Sequence, residues 1–83
     1  NQPAFMDTWA MLLSAASQHA RAVDLQKRVV QLRPQQLEFK LNLAKIYIKA
    51  GQKDAAKAVL DELAAAGARF PAQAEVEELR KAL

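Results

Sequence analysis

Apolar residues along this chain recur at intervals of three and four, the spacing that places side chains on one face of an α-helix. Gly, Pro or polar pairs interrupt this pattern four times. The pattern predicts five helices, at 5–16 (with Pro3 in its first turn), 20–32, 36–50, 53–66 and 71–83. No segment alternates apolar and polar residues as a half-buried strand does. We therefore expect an all-α fold.

The predicted helix boundaries carry residues that suit helix ends. Pro34 disfavours helix in the residue before it, and Pro71 suits a first helical turn. Gly51 and Gly67 can adopt the left-handed conformation that often ends a helix. The connections are so short that consecutive helices are expected to pack antiparallel, as hairpins.

The chain also repeats itself with a period of 34 residues. At this offset, identical residues align at Phe5 and Phe39, Ala10 and Ala44, Ala16 and Ala50, Gln18 and Gln52, and Ala22 and Ala56. Bulky residues also recur in register, since Trp9 aligns with Leu43 and Leu13 aligns with Tyr47. We expect one domain over 1–83, with repeats at 3–36 and 37–68 and a capping helix at 71–83.

The repeated small residues predict a packing geometry. Ala44 and Ala56 are expected where two helices cross closely, because a larger side chain would hold the helices apart. The neighbouring large residues are expected to fill the space on either side; they are Leu43, Tyr47, Leu60 and Leu63.

This order of large, small, aromatic, Gly and Ala residues resembles the tetratricopeptide repeat. The second repeat matches at Leu43, Ala44, Tyr47, Gly51, Ala56, Leu60 and Leu63, and the first at Trp9, Ala10, Leu13, Ala22 and Pro34. The first repeat departs from the pattern where Ser17 replaces the turn Gly and where Gln26 replaces an apolar residue. The resemblance implies a right-handed solenoid of helix hairpins that recognises proteins and has no catalytic activity.

The resemblance also implies where a partner would bind. In this family the first helix of each pair lines a groove that holds a peptide or a partner helix. The corresponding positions here are Asp7, Met11, Ser14, Leu41, Asn42, Lys45, Ile48 and Lys49. The spacing of Asn42, Lys45 and Lys49 places them on one helix face, where the lysines would favour an acidic partner. They could equally be ordinary exposed polar residues.

Two narrower comparisons refine this expectation. One subclass of the family grips a C-terminal carboxylate with Lys, Asn and Arg from three repeats, but only Asn42 matches that set, so this clamp is not expected. The segments at 7–13 and 70–75 are similar to the C-terminal repeats of bacterial tetratricopeptide lipoproteins associated with exosortase and exopolysaccharide systems. That similarity implies the cell envelope, whereas the sequence itself leaves the compartment open.

Charge and composition argue against several other classes of protein. The net charge is +3, but the twelve basic residues are scattered among nine acidic ones, so no nucleic-acid-binding surface is expected. The chain has no Cys, and its apolar runs are too short to cross a bilayer.

The residues capable of catalysis form no recognisable site. His19, the one histidine, is expected in an exposed turn, and without a second His or any Cys it has no partners for a metal or nucleophilic site. Adjacent carboxylates point in diverging directions on a helix, so they do not form an acid–base pair. We therefore expect no enzyme activity and no cofactor. Trp9 and Tyr47 occupy packing positions of the repeat, so we expect both in the core.

A structural role competes with peptide binding. The segment could serve only as the capped C-terminal end of a longer array. It could also self-associate through an uncovered first helix pair, by way of Phe5, Met6, Met11 and Leu12.

Overall fold

The computed structural model describes residues 2–83, and its helices confirm the all-α prediction. The helices are α1 (Pro3–Ala15), α2 (His19–Leu32), α3 (Leu37–Lys49), α4 (Lys53–Ala66) and α5 (Gln73–Lys81), with a short 3-10 turn at Gly67–Arg69. The described part of the chain contains no strand. Within residues 2–83, no helix combines the length and the apolar character that a membrane span requires.

The helix boundaries reproduce the predicted period. Helix α3 begins and ends 34 residues after α1, and α4 begins and ends 34 residues after α2. The bounds predicted for α4 are confirmed, whereas α5 begins at Gln73, two residues after Pro71. His19 is the half-buried first residue of α2, so the prediction of an exposed turn position is wrong. The division into repeats at 3–36 and 37–68 stays a prediction.

The two hairpin turns share one hydrogen-bond pattern. After α1, the amide of Gln18 donates to Leu13 O at 2.9 Å, and after α3 the amide of Gln52 donates to Tyr47 O at 2.9 Å. Each turn contains one residue with a positive φ, Ser17 at 64° and Gly51 at 77°. This is the Schellman motif, in which the left-handed residue lets the chain reverse and satisfies the last carbonyls of the helix.

Replacing Ser17 with Gly is expected to stabilise the protein by about 1 kcal/mol. A side chain in the left-handed region costs about 1–2 kcal/mol, and the extra freedom that Gly gives to the unfolded chain offsets part of that gain. Urea unfolding followed by circular dichroism measures the change. The exposed Ser17 side chain makes no hydrogen bond to other described residues, so a loss of stability would contradict this account of the turn.

The repeated alanines are fully buried in the helix packing. Ala10, Ala22, Ala44 and Ala56 are each 0% exposed. Three of them share one core cluster with Leu13, Leu43, Ile46 and Tyr47, while Ala44 belongs to a second cluster with Leu41, Leu60 and Leu63. The predicted burial of Ala44, Ala56 and Tyr47 is therefore confirmed.

The last helix closes one end of the molecule. Phe70 and Val76, at 1% and 0% exposure, pack into the second cluster against Leu60 and Leu63. The side-chain amide of Gln73 donates to Leu63 O at 2.7 Å and to Gly67 O at 3.0 Å. Because carbonyls in the last turn of a helix lack helical partners, this amide joins the end of α4 to the start of α5.

The first helix is open on the side away from α3, which corrects the prediction for Trp9. Phe5, Trp9 and Leu12 are 73%, 50% and 64% exposed, whereas their counterparts Phe39, Leu43 and Ile46 are buried. With Thr8, these three residues line a shallow apolar pocket of about 370 Å³, which we call the α1 outer face. Trp9 is not a core residue because no helix within residues 2–83 covers the α1 outer face.

Candidate functional site

A cleft of about 380 Å³ lies between the C-terminal halves of α1 and α3. Its lining residues are Met11, Ser14 and Ala15 from α1, Lys45, Ile46, Ile48 and Lys49 from α3, and Leu79 from α5. Residues from corresponding turns of α1 and α3 face each other, so the two helices run in the same direction. Alternating antiparallel hairpins produce this arrangement, because every second helix then points the same way.

A polar network joins three helices just beyond the cleft. The Asp7 carboxylate of α1 accepts hydrogen bonds from Gln26 Nε2 of α2 at 2.7 Å and from Asn42 Nδ2 of α3 at 3.0 Å. Gln26 Nε2 also donates to Phe39 O at 2.9 Å. Buried polar groups that find partners fix the relative positions of the elements that carry them. This network therefore sets the spacing of α1 and α3 at the end of the cleft.

The network explains the departure of Gln26 from the repeat pattern. Its side chain is fully buried at a position that is usually apolar. Its amide nitrogen bonds to Asp7 within the first hairpin and to Phe39 O across the joint between the two hairpins. The amide nitrogen of Asn42 also donates to Asp7, so that nitrogen is engaged within the chain. The polar residue at this usually apolar repeat position was the one signal in the sequence for the network, because a buried amide requires a polar partner.

The two cleft lysines differ in their surroundings. Lys45 Nζ lies 2.7 Å from Glu75 Oε2 of α5. Lys49 is exposed in the last turn of α3, and no carboxylate of residues 2–83 lies within salt-bridge distance of it. The last turn of a helix carries a partial negative charge that stabilises such a cation. The cleft therefore has one lysine paired within the chain and one that faces solvent.

The eight predicted groove residues divide into three groups. Met11, Ser14, Lys45, Ile48 and Lys49 line the cleft, and Asp7 and Asn42 pair with each other beyond its end. Leu41 is 5% exposed, in the core beneath α5. From α5, Leu79 lines the cleft and Glu75 pairs with the cleft residue Lys45, a contribution that the sequence did not predict. The binding role of all these residues stays a prediction.

The lining of the cleft is mainly apolar, with two lysines beside the apolar residues. It contains no His, Asp, Glu or Cys side chain, and the buried Oγ of Ser14 has no hydrogen-bond partner among residues 2–83. His19 does not belong to the cleft lining. Across residues 2–83, no three His, Cys, Asp or Glu side chains gather as metal ligands would. What the cleft offers a ligand is an apolar surface with ammonium groups at its rim.

Antiparallel helix pairs that stack in sequence order define a helical-repeat protein of the solenoid type. The family model described as tetratricopeptide repeat matches residues 13–83, most of the chain, and the chain belongs to that family. No curated protein and no solved structure matches it. Members of the family are typically non-catalytic modules for protein–protein interaction. The narrower similarity to lipoprotein repeats stays a prediction.

Proposed function

We propose that this chain is a non-catalytic recognition module that binds a peptide or a partner helix in the cleft between α1 and α3. The observation that carries the proposal is the junction of the two hairpins. There, Met11 and Ile48 form an apolar floor beside Lys45 and Lys49. Recognition of a helix or a peptide in a groove uses this combination, in which apolar side chains supply affinity and rim charges set orientation.

The contacts between the helices that form the cleft walls support the proposal. Hydrogen bonds from Asn42 of α3 to Asp7 join α3 to α1, and Ala10 of α1 and Ala44 of α3 are fully buried. A preformed groove loses little conformational entropy on binding, so more of the contact free energy appears as affinity.

A test compares two matched substitutions, Ile48→Gln in the cleft and Leu12→Gln on the α1 outer face. Peptides selected from a random phage-displayed library by the unaltered protein are expected to bind the Ile48→Gln variant at least about tenfold more weakly. This loss corresponds to most of the free energy of burying one aliphatic side chain. Leu12→Gln should leave their affinity unchanged. Isothermal titration calorimetry gives the affinities, and circular dichroism verifies that both variants fold.

Two results would contradict the proposal. One is a selection that yields no binder. The other is a set of binders that Ile48→Gln leaves intact while Leu12→Gln removes them, since these would occupy a different surface.

A second candidate function is self-association through the α1 outer face, and the exposure of its large apolar residues favours it. Phe5, Trp9 and Leu12 lie side by side with little polar cover, and apolar patches of this kind commonly mark interfaces. Met6 and Met11, which the sequence also suggested, are half-buried. Sedimentation velocity over a range of concentrations tests this candidate. A dimer that Leu12→Gln dissociates would support it, and a monomer at every concentration would contradict it.

A further inference from the structure

We propose that the cleft takes an acidic peptide segment, and that Glu75 of α5 occupies the site of the ligand carboxylate when the cleft is empty. The inference rests on the proposed binding function and adds the chemical class of the ligand. It also assigns α5 a role in setting the affinity.

The first support is the ion pair between α3 and α5. Lys45 Nζ and Glu75 Oε2 lie 2.7 Å apart, with their side chains 34% and 46% exposed. Exposed pairs of this kind contribute little to stability because water solvates both partners well. An incoming carboxylate can therefore replace Glu75 on Lys45 without unfolding α5, which Phe70 and Val76 hold independently in the core.

The second support is the charge that the cleft presents. Lys45 and Lys49 line it, and of these two only Lys45 has a carboxylate partner among residues 2–83, Glu75. Lys49 adds a positive charge one helical turn beyond Lys45. A ligand with acidic side chains one turn apart would meet both lysines, whereas a basic ligand would be repelled.

The apolar part of the lining specifies the rest of the ligand. Met11, Ile48 and Leu79 surround the space beside the lysines, and Met side chains adapt to ligands of different shape. The matching ligand carries an aliphatic or aromatic side chain next to its acidic ones. Because Leu79 and Glu75 belong to one helix, α5 contributes both an apolar wall and the competing carboxylate.

The test uses the peptides selected from the random library and two pairs of matched variants. Glu75→Gln removes the competing carboxylate, and Glu78→Gln makes the same charge change elsewhere on α5, at an exposed residue that forms no ion pair with Lys45 or Lys49. Lys49→Gln removes a cleft cation, and Lys53→Gln removes an exposed one at the start of α4. Titration calorimetry at two salt concentrations measures each affinity.

We expect the selected peptides to be enriched in Asp or Glu beside Leu, Met or Phe. Glu75→Gln should tighten their binding about two- to fivefold, the factor expected when a weak internal competitor is removed. Lys49→Gln should weaken it about three- to tenfold, with a smaller effect at high salt. Glu78→Gln and Lys53→Gln should each change it by less than about twofold.

Failure of this inference is distinguishable from failure of the proposed function. Binders that depend on Ile48 but show no acidic enrichment, and that are indifferent to Glu75→Gln and Lys49→Gln, would overturn the inference and leave the cleft as a binding site. Equal effects of Glu75→Gln and Glu78→Gln would also overturn it, because net charge rather than displacement of Glu75 would then explain the change. The absence of any binder that depends on Ile48 would overturn both.

Discussion

Replacing Phe70 with Ala is expected to lower the free energy of unfolding by about 3–5 kcal/mol, the largest effect of any single substitution considered for this chain. Phe70 is 1% exposed, and its ring fills the space between α4 and α5 beside Leu60 and Val76. Removing the ring loses its transfer free energy and leaves a cavity that the surrounding helices can only partly close. For a domain of this size, such a loss approaches the whole stability.

Phe5→Ala is the matched control, because Phe5 is 73% exposed and should lose less than about 0.5 kcal/mol. Phe70→Leu should lower the free energy of unfolding less than Phe70→Ala does, because Leu keeps part of the apolar volume. This variant provides the measurement if the Ala variant does not fold. Urea denaturation gives each free energy of unfolding. Similar values for Phe70→Ala and Phe5→Ala would show that α5 is not anchored by Phe70.

The sequence predicted the helices and their period because local residues determine both. Apolar spacing, Gly51 and Gly67 mark the helices and their ends, and the recurrent alanines reveal the period directly. Even the departure at Ser17 left the turn unchanged, since its backbone adopts the left-handed conformation found at Gly51. The helices and turns depend on residues only a few positions apart, so the sequence pattern shows them.

The features that the sequence pattern did not show are contacts between distant segments. Trp9 occupies the repeat position of buried Leu43, yet its burial would require another helix against α1. Leu41 was assigned to the groove because nothing in the sequence shows that α5 and Phe70 cover it. Phe70 itself lies between the 3-10 turn and α5, where helical periodicity carries no information.

The cleft could be predicted only in part for the same reason. Repeat positions identified Met11, Lys45, Ile48 and Lys49, which line one cleft. Repeat positions did not identify Glu75 and Leu79, because both belong to α5. The orientation of α5 depends on how Phe70 packs against α4. The hydrogen bonds from Gln26 to Phe39 O and from Asn42 to Asp7 depend on the spacing between the hairpins, which only the assembled fold defines.

The second large effect is expected for Ala44→Leu, which should lower the free energy of unfolding by about 3 kcal/mol. Ala44 is 0% exposed and packs in the cluster with Leu41, Leu60 and Leu63 on α3 and α4. A Leu side chain there has no free volume, so α3 and α4 must separate or the side chains must adopt strained rotamers. The same displacement would alter the wall of the cleft, because α3 also carries Lys45 and Ile48.

Ala58→Leu on α4 is the matched control, since Ala58 is exposed on a helix of the same hairpin. Leu and Ala have similar helix propensities, so this variant should change stability by less than about 0.5 kcal/mol. Its result separates the effect of packing from that of adding an apolar side chain.

Urea unfolding of Ala44→Leu and Ala58→Leu side by side tests most directly whether small residues at the helix crossings create this architecture. We predict that the midpoint falls sharply for the first variant and hardly moves for the second, with similar denaturant slopes. Equal midpoints would mean that α3 and α4 do not nest at Ala44, and would contradict the packing on which both the fold and the cleft depend.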